Sequence, residues 1–142
     1  MSLKAKIMFF INFLLFGLAK IAIQCLSYKQ LSRHFGKSCR MLVASTLLSK
    51  QQLQQALMIK RAIALTLRYL PWEANCLPKA LVARFWCKYY HVPYLLFIGL
   101  AKDKKISSRI DAHAWITAGP IAITGEFSFE TYHVICSYSN AL

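Results

Sequence analysis

The hydrophobic period of this chain changes once, at Val92-Pro93, and that change restricts what it can fold into. Before it, apolar residues recur at helical spacing. After it, short apolar runs alternate with turn residues. Helices followed by turn-linked strands predict an α+β domain, with a helical N-terminal part packed on an antiparallel sheet.

Residues 5–25 read as one helix. Ser27 to Gly36 reads as a second, shorter helix stopped at Gly36, and Leu42 to Leu48 as a short third. Over residues 51–70, Leu53, Leu57, Ile63, Leu67 and Leu70 recur at helical spacing, and Pro71 ends the helix. Residues 76–91 form the next helix. Leu77, Leu81 and Phe85 recur every four residues, and Pro78 sits in the first turn, where its missing N–H costs nothing. Tyr94 to Ala101 reads as a buried strand and Lys102 to Arg109 as a charged loop. Ala112 to Thr117 and Ile121 to Thr124 flank Ala118-Gly119-Pro120 as a hairpin, and Tyr132 to Cys136 adds a last strand.

The 142 residues suit one domain, 1–142, with a helical lead-in over 1–50 and a core over 51–142. Ile7 to Ala19 is nearly all apolar behind Lys4 and Lys6, as in a signal-peptide core, but no clean small-x-small cleavage site follows. A run of about 13 is short for a span, which needs roughly 20 residues. It reads as a helix packed on the core or on a partner, with a membrane surface as the alternative setting. The formal net charge of +13 predicts an acidic partner: an anionic peptide, an acidic protein or a membrane surface. Nucleic acid is disfavoured, because Lys and Arg are scattered and no binding motif is present. The five cysteines are odd in number and lack C-x-x-C spacing, which argues against a disulfide scaffold and against structural zinc. A reducing, cytoplasmic compartment fits them better.

Among those cysteines only Cys76 follows a loop, Pro71-Trp72-Glu73-Ala74-Asn75, and opens a helix. A helix start carries partial positive charge and unpaired N–H groups. These favour a thiolate and can receive the oxyanion formed when it attacks a carbonyl. Cys25, Cys39, Cys87 and Cys136 read as small buried hydrophobes. A thiol nucleophile needs a base. His113, between two alanines on the strand Asp111-Ala112-His113-Ala114-Trp115-Ile116, is the candidate. His91 reads as a helix C-terminal residue, and nothing around His133 suggests a cleft. A third group should orient the imidazole. Asp111 shares a strand face with His113, Glu126 ends the next hairpin strand, and Glu73 is more remote. Metal and cofactor chemistry are not implied.

Four segments then stand together: Leu70-Pro71-Trp72-Glu73-Ala74-Asn75-Cys76-Leu77-Pro78-Lys79-Ala80-Leu81; Val92-Pro93 with Leu96-Phe97-Ile98-Gly99-Leu100; Ala112-His113-Ala114-Trp115-Ile116; and Ile123-Thr124-Gly125-Glu126 with Tyr132-His133-Val134-Ile135. In this order they resemble the transglutaminase-like cysteine peptidases of lasso-peptide biosynthesis, the leader peptidase or C-terminal half of the B protein. The resemblance covers residues 50–136. It implies a papain-like, transglutaminase-like fold and a Cys-His-acid triad, onto which Cys76 and His113 map directly. The family commonly places Asp about a dozen residues after the histidine, where this chain has Gly125 followed by Glu126. Glu126 is thus the preferred third member and Asp111 the reserve. The implied reaction is removal of the leader from a ribosomally made precursor peptide before macrocyclisation. The implied partners are that peptide, a separate leader-recognition protein and an ATP-using lasso cyclase. The helical, apolar first 50 residues suggest the stand-alone peptidase form. The alternative is a catalytically inactive transglutaminase-like scaffold or partner-binding protein.

Overall fold

A computed structural model describes residues 2–39, 47–102, 110–125 and 128–140. The expected helix at Leu42 to Leu48 and the charged loop after Lys102 fall largely outside these residues, as does Glu126. Five helices and five strands are seen among them: α1 (Leu3–Cys25), α2 (Tyr28–Ser32), β1 (Lys37–Cys39), α3 (Lys50–Tyr69), α4 (Cys76–Tyr89), β2 (Leu95–Lys102), β3 (Ile110–Ala118), β4 (Ile121–Thr124), α5 (Ser128–Thr131) and β5 (His133–Ser139).

The α+β expectation holds: helices lead and an antiparallel sheet in the order β1-β5-β2-β3-β4 follows. The long helices start and stop where local chemistry directs. Ser49 caps α3 and Gln52 reaches back to the Ser49 N–H, a reciprocal capping box. Ser27 and Gln30 do the same for α2. Pro71 lies beyond the end of α3. Helix α4 ends with His91 in the left-handed region, φ 56°. The N–H groups of His91 and Val92 turn back to the carbonyls of Lys88 and Cys87, and Pro93 blocks any continuation.

Three readings of the first half need correction. The second helix is only Tyr28–Ser32, because the chain unwinds well before Gly36. Cys39 lies in strand β1 rather than in a helix. This strand exists because Lys37, Ser38 and Cys39 pair with Ser139, Tyr138 and Ser137 of β5, a contact no local pattern announces. Cys25 is exposed at the end of α1, not buried.

The two sheet faces differ. Leu96, Ile98, Ala114, Ile116, Ala118, Ile123 and Tyr138 join the main core with Ala56, Ile59 and Ile63 of α3 and Ala80, Val82, Ala83, Trp86 and Cys87 of α4. Leu95, Phe97 and Trp115 form a second cluster with Tyr132 and Val134. Strand alternation makes this division: neighbouring residues of β2 and β3 point to opposite faces.

Helix α1 docks on α3 and α4 through a polar clasp. Asn12 is wholly buried. Its carbonyl accepts from Trp86 Nε1 at 2.6 Å and its amide donates to Thr66 Oγ1 at 3.1 Å. The Thr66 hydroxyl in turn donates to the Ala62 carbonyl at 2.8 Å. Asn12→Leu keeps the volume but strands the indole N–H in a dry site. It should lower unfolding stability by about 1–3 kcal/mol. A urea unfolding midpoint unchanged from the parent protein would contradict the clasp.

Candidate functional site

Helices α1, α2 and α3 each begin with a serine whose hydroxyl accepts from a first-turn N–H. Helix α4 begins differently. Asn75 occupies its N-cap position but makes no side-chain cap hydrogen bond. Pro78 brings no N–H to the first turn. The N–H of Lys79 reaches the Asn75 carbonyl only at 3.4 Å. The donors at the head of α4 are thus the backbone N–H groups of Cys76 and Leu77, with no side chain turned back on them among the described residues. The partial positive charge of the helix end is left for a substrate.

Cys76, the first residue of α4, is half-buried. It lines a cavity of about 580 Å³ with Asn75, Lys79, Asp111, His113 and Thr124. The sequence-predicted nucleophile and base therefore share one cavity. So does Asp111, the reserve orienter. Glu126 lies outside the described residues, but Gly125, its neighbour, is on the cavity wall. Glu73 is exposed and lines a different groove, on the side of Cys76 that faces Phe16, Lys20 and Ile23 of α1. The buried Thr124 hydroxyl finds no hydrogen-bond partner among the described residues, leaving a polar atom in the wall.

His113 reaches this cavity from the sheet face of the second cluster. The described part of β4 pairs with Ile116 to Ala118 of β3, beyond the stretch that carries His113. The imidazole packs against two aromatic rings in a three-ring cluster: Tyr132 at 4.7 Å with planes 24° apart, and Trp115 at 5.7 Å with planes 23° apart, these two being 6.2 Å from each other. The Tyr132 hydroxyl donates to Asp111 Oδ2 at 2.7 Å, tying its ring to the strand that carries the histidine. This lifts the Tyr132 phenol to about 12, chiefly through the Asp111 hydrogen bond. Tyr132 was not singled out in the sequence. It is 21 residues from Asp111, and only the fold joins them.

Glycine at position 99 makes room for this stack. Gly99 pairs with His113 across β2 and β3. A Cβ there would meet the Trp115 ring at 2.8 Å and Tyr132 Cβ at 2.9 Å. Both are closer than real contacts allow.

Burial pushes the His113 imidazolium below its ordinary range. The Asp111 carboxylate acts against that shift, and the Lys79 ammonium adds to it. The ring is consequently neutral near pH 7, the form that can accept a proton. Cys87, the deeply buried cysteine of α4, is pushed up to about 12 by desolvation alone, which keeps it a thiol. Cys136 lies mid-strand and half-buried. No cluster of metal-ligating side chains occurs among the described residues.

The His113 reading can be checked by titrating its ring resonances. They should titrate below the ordinary histidine value of about 6.5. Asp111→Asn removes an opposing anion and should lower the midpoint further. Lys79→Met removes a repelling cation and should raise it. A Lys79→Met shift of the opposite sign would contradict this electrostatic account. Gly99→Ala should displace the stack, moving those resonances and costing about 1–3 kcal/mol of stability.

A protein-family description, the transglutaminase-like superfamily, matches residues 22–137, beginning near the end of α1 and taking in α4 and nearly the whole sheet. No curated protein and no solved structure matches the chain significantly.

Proposed function

The chain belongs to the transglutaminase-like superfamily, which includes cysteine peptidases, and from that premise we propose that it is a thiol peptidase acting on peptide carbonyls. The observation carrying this reading is the shared cavity: Cys76 at a helix head without a side-chain cap, and His113 opposite, poised as a neutral base.

In this reading His113 takes the Cys76 proton as the sulfur attacks the scissile carbonyl. The N–H groups at the start of α4 receive the oxyanion. His113 then protonates the leaving amine as the C–N bond breaks, leaving a thioester. Water, deprotonated by the same ring, hydrolyses the thioester, and the thiol regains its proton. The stack of Trp115 and Tyr132 restricts the imidazole plane. Glu126, the residue after Gly125 of the cavity wall, supplies the acid that holds the ring, with Asp111 as the alternative.

The finer proposal, supported by the resemblance of the Cys76 and His113 segments, is that the substrate is a ribosomally made lasso-type precursor and the bond is the one joining leader to core. The released core amine is the group that an ATP-using cyclase would then join to an acidic side chain. A separate recognition protein would present the leader. The cavity's Lys79 and the chain's net charge of +13 suit an acidic peptide.

The test is leader removal from the precursor peptide in the presence of its recognition protein. Cys76→Ala should abolish it, while Cys87→Ala and Cys136→Ala should leave it largely intact. Full activity in Cys76→Ala would exclude the mechanism. An active parent is itself required, since an inert one in the same assay would favour the scaffold reading. Glu126→Ala should slow cleavage by about 10²-fold or more, and Asp111→Ala by clearly less. The reverse ranking would transfer the orienting role to Asp111.

A further inference from the structure

Helix α1 is apolar on both of its faces. Toward the protein it presents Met8, Phe16 and Ala19 around Asn12, which is wholly buried and hydrogen-bonded. Away from the protein it presents Leu3, Ile7, Phe10, Leu14, Leu18 and Ile21, each between 49% and 74% exposed. Six large apolar side chains in one exposed row are far more than scattered surface hydrophobes explain.

The row has a telling geometry. From Leu3 to Ile21 it keeps the period of an ideal helix, so it runs parallel to the axis for about 27 Å. A seam built for a supercoiled partner repeats every 3.5 residues and drifts around a straight helix. A straight row matches a plane. Beside its N-terminal end, a groove lined by Leu3, Ile7, Ile11, Phe85 and Tyr89 extends the apolar surface onto α4, where Phe85 is 40% and Tyr89 64% exposed.

Charge identifies the plane. Residues 1–72 contain eleven Lys and Arg and no Asp or Glu, whereas residues 73–142 contain seven Lys and Arg and all five acids. Exposed Lys4 and Lys6 flank the row on either side in helical projection. Long basic side chains beside an apolar stripe can reach up to anionic headgroups while the stripe enters the acyl boundary. A second copy of the chain would instead bring the same unbalanced cations against this surface.

We propose that α1 lies along an anionic membrane surface, with the row from Leu3 to Ile21 immersed at the headgroup boundary. The helix is long and apolar enough to cross a bilayer. Crossing would strip Met8, Asn12, Phe16 and Ala19 from the protein body and break the bonds to Trp86 and Thr66. Lying flat keeps both faces satisfied. The catalytic domain is thereby held at the bilayer through α1.

Flotation of the full chain with vesicles tests this directly. The protein should float with vesicles of equal parts phosphatidylcholine and phosphatidylglycerol. It should float much less with phosphatidylcholine alone, and less as salt is raised. Phe10→Gln/Leu14→Gln/Leu18→Gln alters only exposed positions. It should retain the parent circular dichroism and unfolding midpoint yet partition at least about tenfold more weakly. Lys4→Gln/Lys6→Gln should weaken binding to the anionic vesicles alone. Absence of the parent from anionic vesicles, or equal flotation of the triple variant, would overturn the proposal. So would a lipid-free dimer that the triple variant dissolves, which would assign the row to a second copy.

Discussion

The close seating of α4 on β3 governs the rest of the molecule. Ala80 and Ala83 of the helix and Ala114 and Ala118 of the strand belong to one core. Small side chains on both surfaces let backbone approach backbone, and native packing density then leaves little play. The body of α4 is anchored by Val82, Trp86 and Cys87, so its first turn is carried to a fixed place beside His113 of β3. Cys76 inherits its position from residues that do no chemistry. The clasp of Asn12 on Trp86 secures the same helix from the other side.

The two ends of α4 divide the work. At its C-terminus the left-handed His91 and the backward bonds of His91 and Val92 satisfy the last carbonyls. At its N-terminus Asn75 makes no such bond. Serines cap the starts of α1, α2 and α3, whereas the start bearing the thiol has no side-chain cap and keeps its electrostatic potential where an oxyanion would form. The chain's cysteines show the same discrimination. Cys87 lies on the same helix as Cys76, three turns deeper in apolar surroundings, and its thiol is pushed up to about 12. Position on the helix separates a buried packing residue from one that faces a polar cavity.

What the sequence announced was whatever depends on near neighbours. The change of period at Val92-Pro93 anticipated the order of helices and strands, and Pro71 and Pro78 marked the end of α3 and the start of α4 within a residue or two. Cys76 after a loop and His113 between alanines were legible as a pair, because each needs only its immediate context. Strand β1 was not legible: Lys37, Ser38 and Cys39 have no alternation of their own and become a strand through β5. Nor was Tyr132, whose hydroxyl meets Asp111 and whose ring meets His113 only after β2, β3 and β5 assemble. The exposed row of α1 was half legible. Its apolar character was plain, but which face turned inward depended on Asn12 finding Trp86 and Thr66.

That aromatic stack bears on why this chain can depart from the acid spacing of the proteins it resembles. An orienting acid ordinarily has two tasks: it fixes the plane of the imidazole and it stabilises the charge the ring acquires. Here Trp115 and Tyr132 both pack against His113 with their planes within 24° of its own, and Gly99 clears the space they occupy. Stacking thus takes over much of the first task. Tyr132 is itself fixed by Asp111, so that carboxylate has a structural engagement that competes with direct contact to the ring. The remaining task, a nearby negative charge, demands less exact placement than fixing the ring, which is what the proposed role of Glu126 requires. In the proposed mechanism Asp111, held by Tyr132, would help to place the ring, and Glu126 would stabilise its proton.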